Sequence, residues 1–246
     1  MSDAPLALLS RRLTERFAAE DFAAGFALGR HILRAYPRML SVYQRMGLAA
    51  QGLGLFADSV DLLQRALSAD PEDARAWRGL HLAALALDLH PDADIAQTYF
   101  QDLAPPAAPE TAIARGHEAA RARDWPAAYR AFRQGLESHP DRMDAALGLA
   151  EALFHLQQPE AVQTIARYIL QELPYALKAH LLILLAAREL GQPQESQRRH
   201  LRAVQALDPL GEVAGQWLPA SVLTPFLPNQ PTLPAWDENE RWAYAL

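Results

Sequence analysis

Six prolines recur along the chain at a nearly constant interval, and this interval constrains the fold more than any other feature. They are Pro37, Pro71, Pro105, Pro140, Pro174 and Pro209. The separations between successive prolines are 34, 34, 35, 34 and 35 residues. A fixed period of this length is typical of helix–turn–helix units that stack into a solenoid, in which each unit contacts its neighbours. The sequence therefore predicts a repeat protein, an architecture that usually holds another molecule.

The composition favours an all-α protein that works in the cytoplasm. Half of the 246 residues are hydrophobic and only 12 are glycine, which suits long helices around an extended core. Because there is no cysteine, disulfides and thiolate metal sites are excluded and a reducing compartment is favoured. The N-terminus lacks the basic start of a secretion signal, and the longest apolar run, residues 181–187, is too short to cross a bilayer.

The charge distribution disfavours nucleic acid as a partner. The net charge is −6, whereas nonspecific nucleic-acid binding needs a basic surface. The cations are 22 arginines and one lysine, Lys178, which we interpret as the coding bias of a GC-rich bacterial genome. Residues 1–50 carry a charge of +3 and residues 210–246 a charge of −3, which favours a meeting of the two ends, within one molecule or between molecules.

A second turn is predicted inside each unit, about fifteen residues before the marker proline. Three units have an aromatic residue at this point, just after an acidic residue or a glycine, which is typical of the start of a helix. These residues are Phe22, Phe56 and Trp125. The other units place a proline nearby, which fits the first turn of a helix because its missing N–H would have no partner there. These prolines are Pro91, Pro159 and Pro193.

The repeated unit resembles the tetratricopeptide repeat family. The best match is the unit 40–73, which has the family's signature residues Tyr43, Gly47, Gly54, Phe56, Ser59, Leu63, Ala66 and Pro71. The unit 109–142 matches next best, with Gly116, Trp125, Ala128, Phe132, Gly135 and Pro140. The resemblance implies a right-handed α-solenoid over residues 1–209, with a C-terminal extension at 210–246. The predicted units are 6–39, 40–73, 74–108, 109–142, 143–176 and 177–210.

In this family the first helix of each unit lines a concave groove, and the lining positions can be carried over by register. They become Gln44, Leu48, Gln51, Arg75, Arg78, Leu82, Leu85, Ile113, His117, Arg121, Leu147, Glu151, Phe154, His155, Leu181, Leu185 and Arg188. The resemblance implies a non-catalytic scaffold or adaptor that binds another protein or peptide segment there. Gln44 and Leu48 stand where chaperone-tail receptors of the family need Lys and Asn, so that function is not expected. Any one of the leucines could instead pack against a neighbouring helix.

The extension is rich in both proline and aromatic residues, which is unusual for a disordered tail. Three interpretations remain open: it packs on its own solenoid, it anchors a partner, or it is disordered. Its candidate anchors are Trp217, Phe226, Trp236, Trp242 and Tyr244. An anchoring tail would make the chain an accessory or assembly subunit of a larger enzyme or secretion complex, or would join copies of the chain into a homo-oligomer.

No catalytic motif is recognisable, so no enzyme activity, cofactor or metal is expected. Glu151 and His155 share a helix face with His117 one unit earlier, but no metal-binding or acid–base motif surrounds them. A helical-repeat RNA reader has a similar period, but it needs a basic groove. The predicted partner is therefore a protein, with neither nucleic-acid binding nor membrane insertion.

Overall fold

The computed structural model of the chain describes residues 3–104, 111–234 and 236. These residues form an all-α solenoid and one short strand pair. The helices are α1 (Leu6–Ala18), α2 (Phe22–Ala35), α3 (Leu40–Gly52), α4 (Phe56–Leu67), α5 (Ala74–Ala86), α6 (His90–Leu103), α7 (Ala112–Arg121), α8 (Trp125–Ser138), α9 (Met143–His155), α10 (Pro159–Glu172), α11 (Leu177–Glu189), α12 (Arg198–Leu207) and α13 (Ala220–Leu223). The strands are β1 (Asp3–Pro5) and β2 (Thr232–Pro234), and short 3₁₀ turns cover Gln194–Gln197, Ala214–Gln216 and Thr224–Phe226.

Helices α1 to α12 fall in pairs, one pair in each predicted unit. The marker prolines lie where one pair gives way to the next: four of them separate consecutive pairs, and Pro209 follows α12. Pro105 lies outside the described residues. In three units the carbonyl of the marker proline accepts a hydrogen bond from the residue six positions later. The donors are Tyr43, Trp77 and His180, so the corner and the next first helix are fixed to each other.

The turn inside each unit has the same backbone conformation in all six units. One residue adopts the left-handed conformation, with φ between 57° and 75°, and thereby ends the first helix. In each turn its N–H and the next N–H donate to carbonyls near the end of that helix. The six residues are Glu20, Gly54, Asp88, Arg123, Gln157 and Gly191. Only two of them are glycine, so the conformation is set by the repeat and not by residue type.

Small residues let the helices of neighbouring units approach a shared large side chain. Phe132 is fully buried, and a Cβ atom built on Gly116 or Gly148 would lie within about 2.5 Å of its ring. Leu63 is held in the same way between Gly47 and Gly79. Glycine at these positions therefore sets the spacing between units, because any larger side chain would overlap the core.

The C-terminal extension packs back along the solenoid and returns to its beginning. Leu218, Leu223 and Phe226 are buried in one cluster with α11. Further along, β2 pairs antiparallel with β1, with Asp3 opposite Pro234 in the register. Leu233 and Trp236 are buried in the core of the first unit. The start of the described chain and the end of β2 thus lie together in one molecule.

The solenoid also turns tightly enough for its last unit to contact an early one. The backbone N–H of Leu177 donates to the carbonyl of Ala69 over 2.9 Å, which joins the start of α11 to the turn between α4 and α5. Among the described residues, no helix is both long enough and apolar enough to span a membrane.

Candidate functional site

A chamber of about 1390 Å³ lies inside the curve of the solenoid. Helices α3, α5, α7, α9 and α11, which are the first helices of units two to six, all contribute to its wall. The extension closes one side with Trp217, Leu218 and Val222. We call this space the central chamber.

The floor of the central chamber is a buried group of charges around the only lysine of the chain. Lys178 on α11 donates to Glu72 on the α4–α5 turn over 2.8 Å and also to Glu151 on α9. Its ammonium group lies 5.2 Å from the ring centroid of Trp217. Burial lowers the pKa of Lys178, but the two carboxylates outweigh this effect and raise its pKa above the usual value. Lys178 is therefore a charged link between three parts of the chain.

Asp70 lies beside this group and has no cation bonded to it in the described structure. Burial, with the nearby charges of Glu72 and Asp73, raises the pKa of Asp70 to about 7. Its carboxylate accepts the backbone N–H of Glu72. Asp70 therefore changes charge near neutral pH inside the chamber wall.

His117 is engaged in a second buried network, which has a structural role. Its Nε2 lies 3.3 Å from the carboxylate of Asp144. Arg142 donates twice to Asp144 and once to Asp102, which joins α6 to α9. Burial opposes ionisation of Asp144, but the bonds from His117 and Arg142 prevail and lower its pKa. Because every charge in this network has a partner, the network locks three helices together.

The mouth of the central chamber is basic and aromatic. Arg75, Arg121 and Arg123 line it, and all three are exposed. His155 stacks on Trp125 with ring centroids 3.8 Å apart and an angle of 11° between the planes. Burial lowers the pKa of His155, so the stack is neutral at pH 7. The mouth thus offers exposed guanidinium groups next to a flat aromatic surface.

Seven of the residues predicted to line the groove lie in the wall of the central chamber, together with Trp217 from the extension. They are Gln44, Arg75, His117, Arg121, Glu151, Phe154 and His155. Four other predicted residues are core side chains and have no surface for a partner: Ile113, Leu147, Leu181 and Leu185. The last six lie on first helices outside the chamber wall: Leu48, Gln51, Arg78, Leu82, Leu85 and Arg188.

The candidate tail anchors are engaged within the chain wherever the structure describes them. Phe226 and Trp236 are buried, and Trp217 packs against the cluster that contains α11. Trp242 and Tyr244 lie outside the described residues. Glu151, His155 and His117 each have a different partner: Glu151 is bonded to Lys178, His155 stacks on Trp125, and His117 lies beside Asp144.

Sequence reasoning missed the acidic turn that completes the chamber floor. Asp70, Glu72 and Asp73 surround the marker proline Pro71, where the repeat pattern predicts only a corner. The available signal was the unusual single lysine, Lys178, which we read as coding bias. The lone lysine among 22 arginines lies where Glu72 of this turn and Glu151 of α9 converge.

Comparison with known proteins agrees with the repeat architecture. The family model described as tetratricopeptide repeat matches residues 45–108 and 113–176, which together make up just over half of the chain. The chain belongs to the tetratricopeptide repeat family. The repeats of this family build curved stacks whose concave surfaces bind other proteins. A search among curated proteins finds no match to the chain.

Several solved structures match the chain at low sequence identity. MamA is 18% identical, with 74% of this chain and 96% of MamA covered and a TM-score of 0.36. A tetratricopeptide repeat protein from Parabacteroides merdae is 12% identical over 90% of this chain and 82% of that protein, with a TM-score of 0.38. YrrB, described as a repeat protein with an unusual peptide-binding site, is 10% identical over 76% of this chain and 96% of YrrB, with a TM-score of 0.38.

Proposed function

We propose that the chain is a non-catalytic scaffold or adaptor that holds a segment of another protein in the central chamber. The observation that supports this most is the convergence of five first helices on one chamber of about 1390 Å³. Membership of a family whose inner surfaces bind proteins points the same way. A chamber of this size admits a short segment of chain but not a folded domain.

The lining favours a segment that combines acidic and apolar residues. Arg75, Arg121 and Arg123 at the mouth attract carboxylates, while Glu72 and Glu151 deeper inside are already bonded to Lys178. Trp217, with its neighbours in the extension, supplies apolar surface. Burial of apolar partner residues would provide most of the affinity, and the arginines would orient the segment.

The same proposal includes the setting in which the chain works. We place it in the bacterial cytoplasm, with no cofactor, no nucleic-acid partner and no insertion into a membrane. The absence of cysteine and the net charge of −6 support this setting. Assembly or oligomerisation through the tail would depend on residues 237–246, which lie outside the described residues.

Affinity purification followed by mass spectrometry tests the proposal. The full chain is compared with a variant that carries Arg75→Glu and Arg123→Glu, which reverses two charges at the chamber mouth. A matched control carries Arg188→Glu and Arg202→Glu, two exposed arginines outside the chamber wall. We expect a partner that is retained by the wild type and the control and is lost from the mouth variant.

Recovered partners should then be mapped to a segment with synthetic peptides. An acidic and apolar peptide that binds the wild type and not the mouth variant would identify the occupant. If the set of retained proteins is the same for all three chains, the central chamber is not the binding site.

A further inference from the structure

A second pocket, of about 740 Å³, lies on a different part of the molecule. Whereas first helices build the central chamber, this second pocket is lined largely by the second helices α4, α6 and α10, together with α5 and the turn between α8 and α9. Among the residues that the structure describes, none lines both spaces. The second pocket is therefore a separate candidate site.

The second pocket has an apolar and aromatic lining that is held rigidly. Trp77 stacks on Tyr99 with ring centroids 4.2 Å apart, and its indole N–H donates to the carbonyl of Pro71. Ile95 and Tyr168 line the pocket while leaving 54% and 45% of their surfaces exposed. Exposed large apolar side chains beside a concave apolar surface are typical of places where a partner side chain docks.

The charge around the second pocket has one sign. Asp92, Asp141 and Glu172 line it, and no Lys, Arg or His does so within the part of the chain that the structure describes. The guanidinium of Arg142 lies 4.0 Å from the ring centroid of the lining residue Tyr99. Arg142 is bonded to Asp102 and Asp144, so it does not neutralise the three lining carboxylates.

We propose that the second pocket binds a partner-protein segment in which a leucine or aromatic side chain is flanked by arginine or lysine. The apolar side chain would enter between Ile95 and Tyr168. The flanking cations would pair with the three carboxylates and lie over the face of Tyr168. This preference is opposite in charge to that of the central chamber, so the two sites select different segments.

The second pocket contains a convenient spectroscopic reporter, Met143, which is one of only four methionines in the chain. Met39 and Met46 are buried in the core of the first unit and serve as internal references. The protein is labelled with ¹³C-methyl methionine, and the Met143 signal is assigned with Met143→Leu. The probe is the acetylated and amidated peptide Arg-Arg-Leu-Leu-Arg-Arg, and its control is Glu-Glu-Leu-Leu-Glu-Glu.

We expect the basic peptide to shift the Met143 signal in a saturable way while Met39 and Met46 stay unchanged. Neutralising the pocket with Asp92→Asn, Asp141→Asn and Glu172→Gln should weaken binding by about tenfold, since each lost cation contact contributes a small amount. Ile95→Ala should weaken binding too. The matched control Asp58→Asn, Asp88→Asn and Glu189→Gln removes the same charge from exposed sites elsewhere and should change the affinity by less than about twofold.

Several results would overturn the proposal. One is an unchanged Met143 signal, and another is an equal response to the acidic peptide. Equal weakening in the pocket variant and the matched control would mean that only net charge attracts the peptide. A Met143 shift that follows protein concentration alone, with dimers in sedimentation, would assign the pocket to a second copy of this chain. The mouth variant Arg75→Glu with Arg123→Glu should still bind the basic peptide, so failure of the central-chamber proposal leaves this one standing.

Discussion

The inner faces of α5 and α11 occupy the same place in their units, yet one is open and the other is core. Leu82 on α5 and Leu185 on α11 are in the same register, but Leu82 is 40% exposed and Leu185 only 5%. Likewise, the side chain of Arg75 is 77% exposed and that of Lys178 only 12%. The difference comes from the C-terminal extension and the α4–α5 turn, which cover α11 and leave the inner face of α5 open. Position in a repeat therefore sets the direction of a side chain, and coverage by distant segments decides whether it can bind a partner.

The largest expected difference between the inner faces of α5 and α11 is the loss of stability when Arg75 or Lys178 is removed. Lys178→Ala would leave Glu72 and Glu151 buried without their partner, and we expect a loss of about 3–5 kcal/mol in the free energy of unfolding. Arg75→Ala at the same register should change it by less than about 0.5 kcal/mol. Urea unfolding of the three chains measures both values, and similar losses for the two variants would contradict the contrast.

Truncating the two leucines should show the same contrast, with a somewhat smaller difference in the free energy of unfolding. Leu185→Ala removes a buried side chain from the cluster with the extension, which should cost about 2–5 kcal/mol. Leu82→Ala should cost about 0.5 kcal/mol or less because that side chain is partly in water. Equal changes in the urea midpoints of the two variants would show that the extension does not cover α11 in solution.

The close packing between helices should also limit the size of the side chain that α7 can carry at Gly116. Gly116→Leu on α7 would force a side chain into the ring of Phe132, and we expect a loss of about 1–3 kcal/mol. Gly52→Ala is the control, because none of the described residues lies within 4 Å of an added Cβ atom there. A melting temperature that Gly116→Leu leaves unchanged would contradict the close contact between Gly116 and Phe132.

The last expected difference concerns Asp70 in the chamber wall and depends on pH. Its pKa of about 7 exceeds the ordinary value of 3.8, so the folded chain holds a proton that the unfolded chain releases between these values. Stability is therefore lost as the pH rises from about 4 to 7. Asp70→Asn cannot ionise and keeps the bond from the Glu72 N–H, so it should raise the melting temperature at pH 8 and leave it nearly unchanged at pH 4. An equal gain at both pH values would contradict the raised pKa.

The sequence predicted the parts of the fold that depend on neighbours in the chain. The prolines such as Pro71 marked the corners, and Gly116 and Phe132 stood at signature positions of the family, because both features recur with the period of the repeat. The left-handed backbone conformation inside each unit was not predicted, because residue types such as those of Glu20 and Gln157 seldom adopt it.

The candidate site was predicted only in part, because it depends on contacts between distant residues. Lys178 and Glu72 are 106 positions apart, and no local pattern indicates that they meet. The same limit applies to Leu181 and Leu185, whose apolar stripe suits a groove and a core equally well. Whether this stripe forms a groove or a core depends on the path of the extension, and no periodic pattern in the sequence predicts that path.

The return of the extension to the start of the chain is tested most directly by an engineered disulfide. The chain has no cysteine, so Asp3→Cys and Pro234→Cys together create a single pair at directly opposite positions of β1 and β2. Opposite residues of antiparallel strands are close enough for a disulfide. Mild oxidation should give a monomer in which neither cysteine can be alkylated. Cysteines that remain open to alkylation, or that form only links between molecules, would contradict the path of the extension and the covered face of α11.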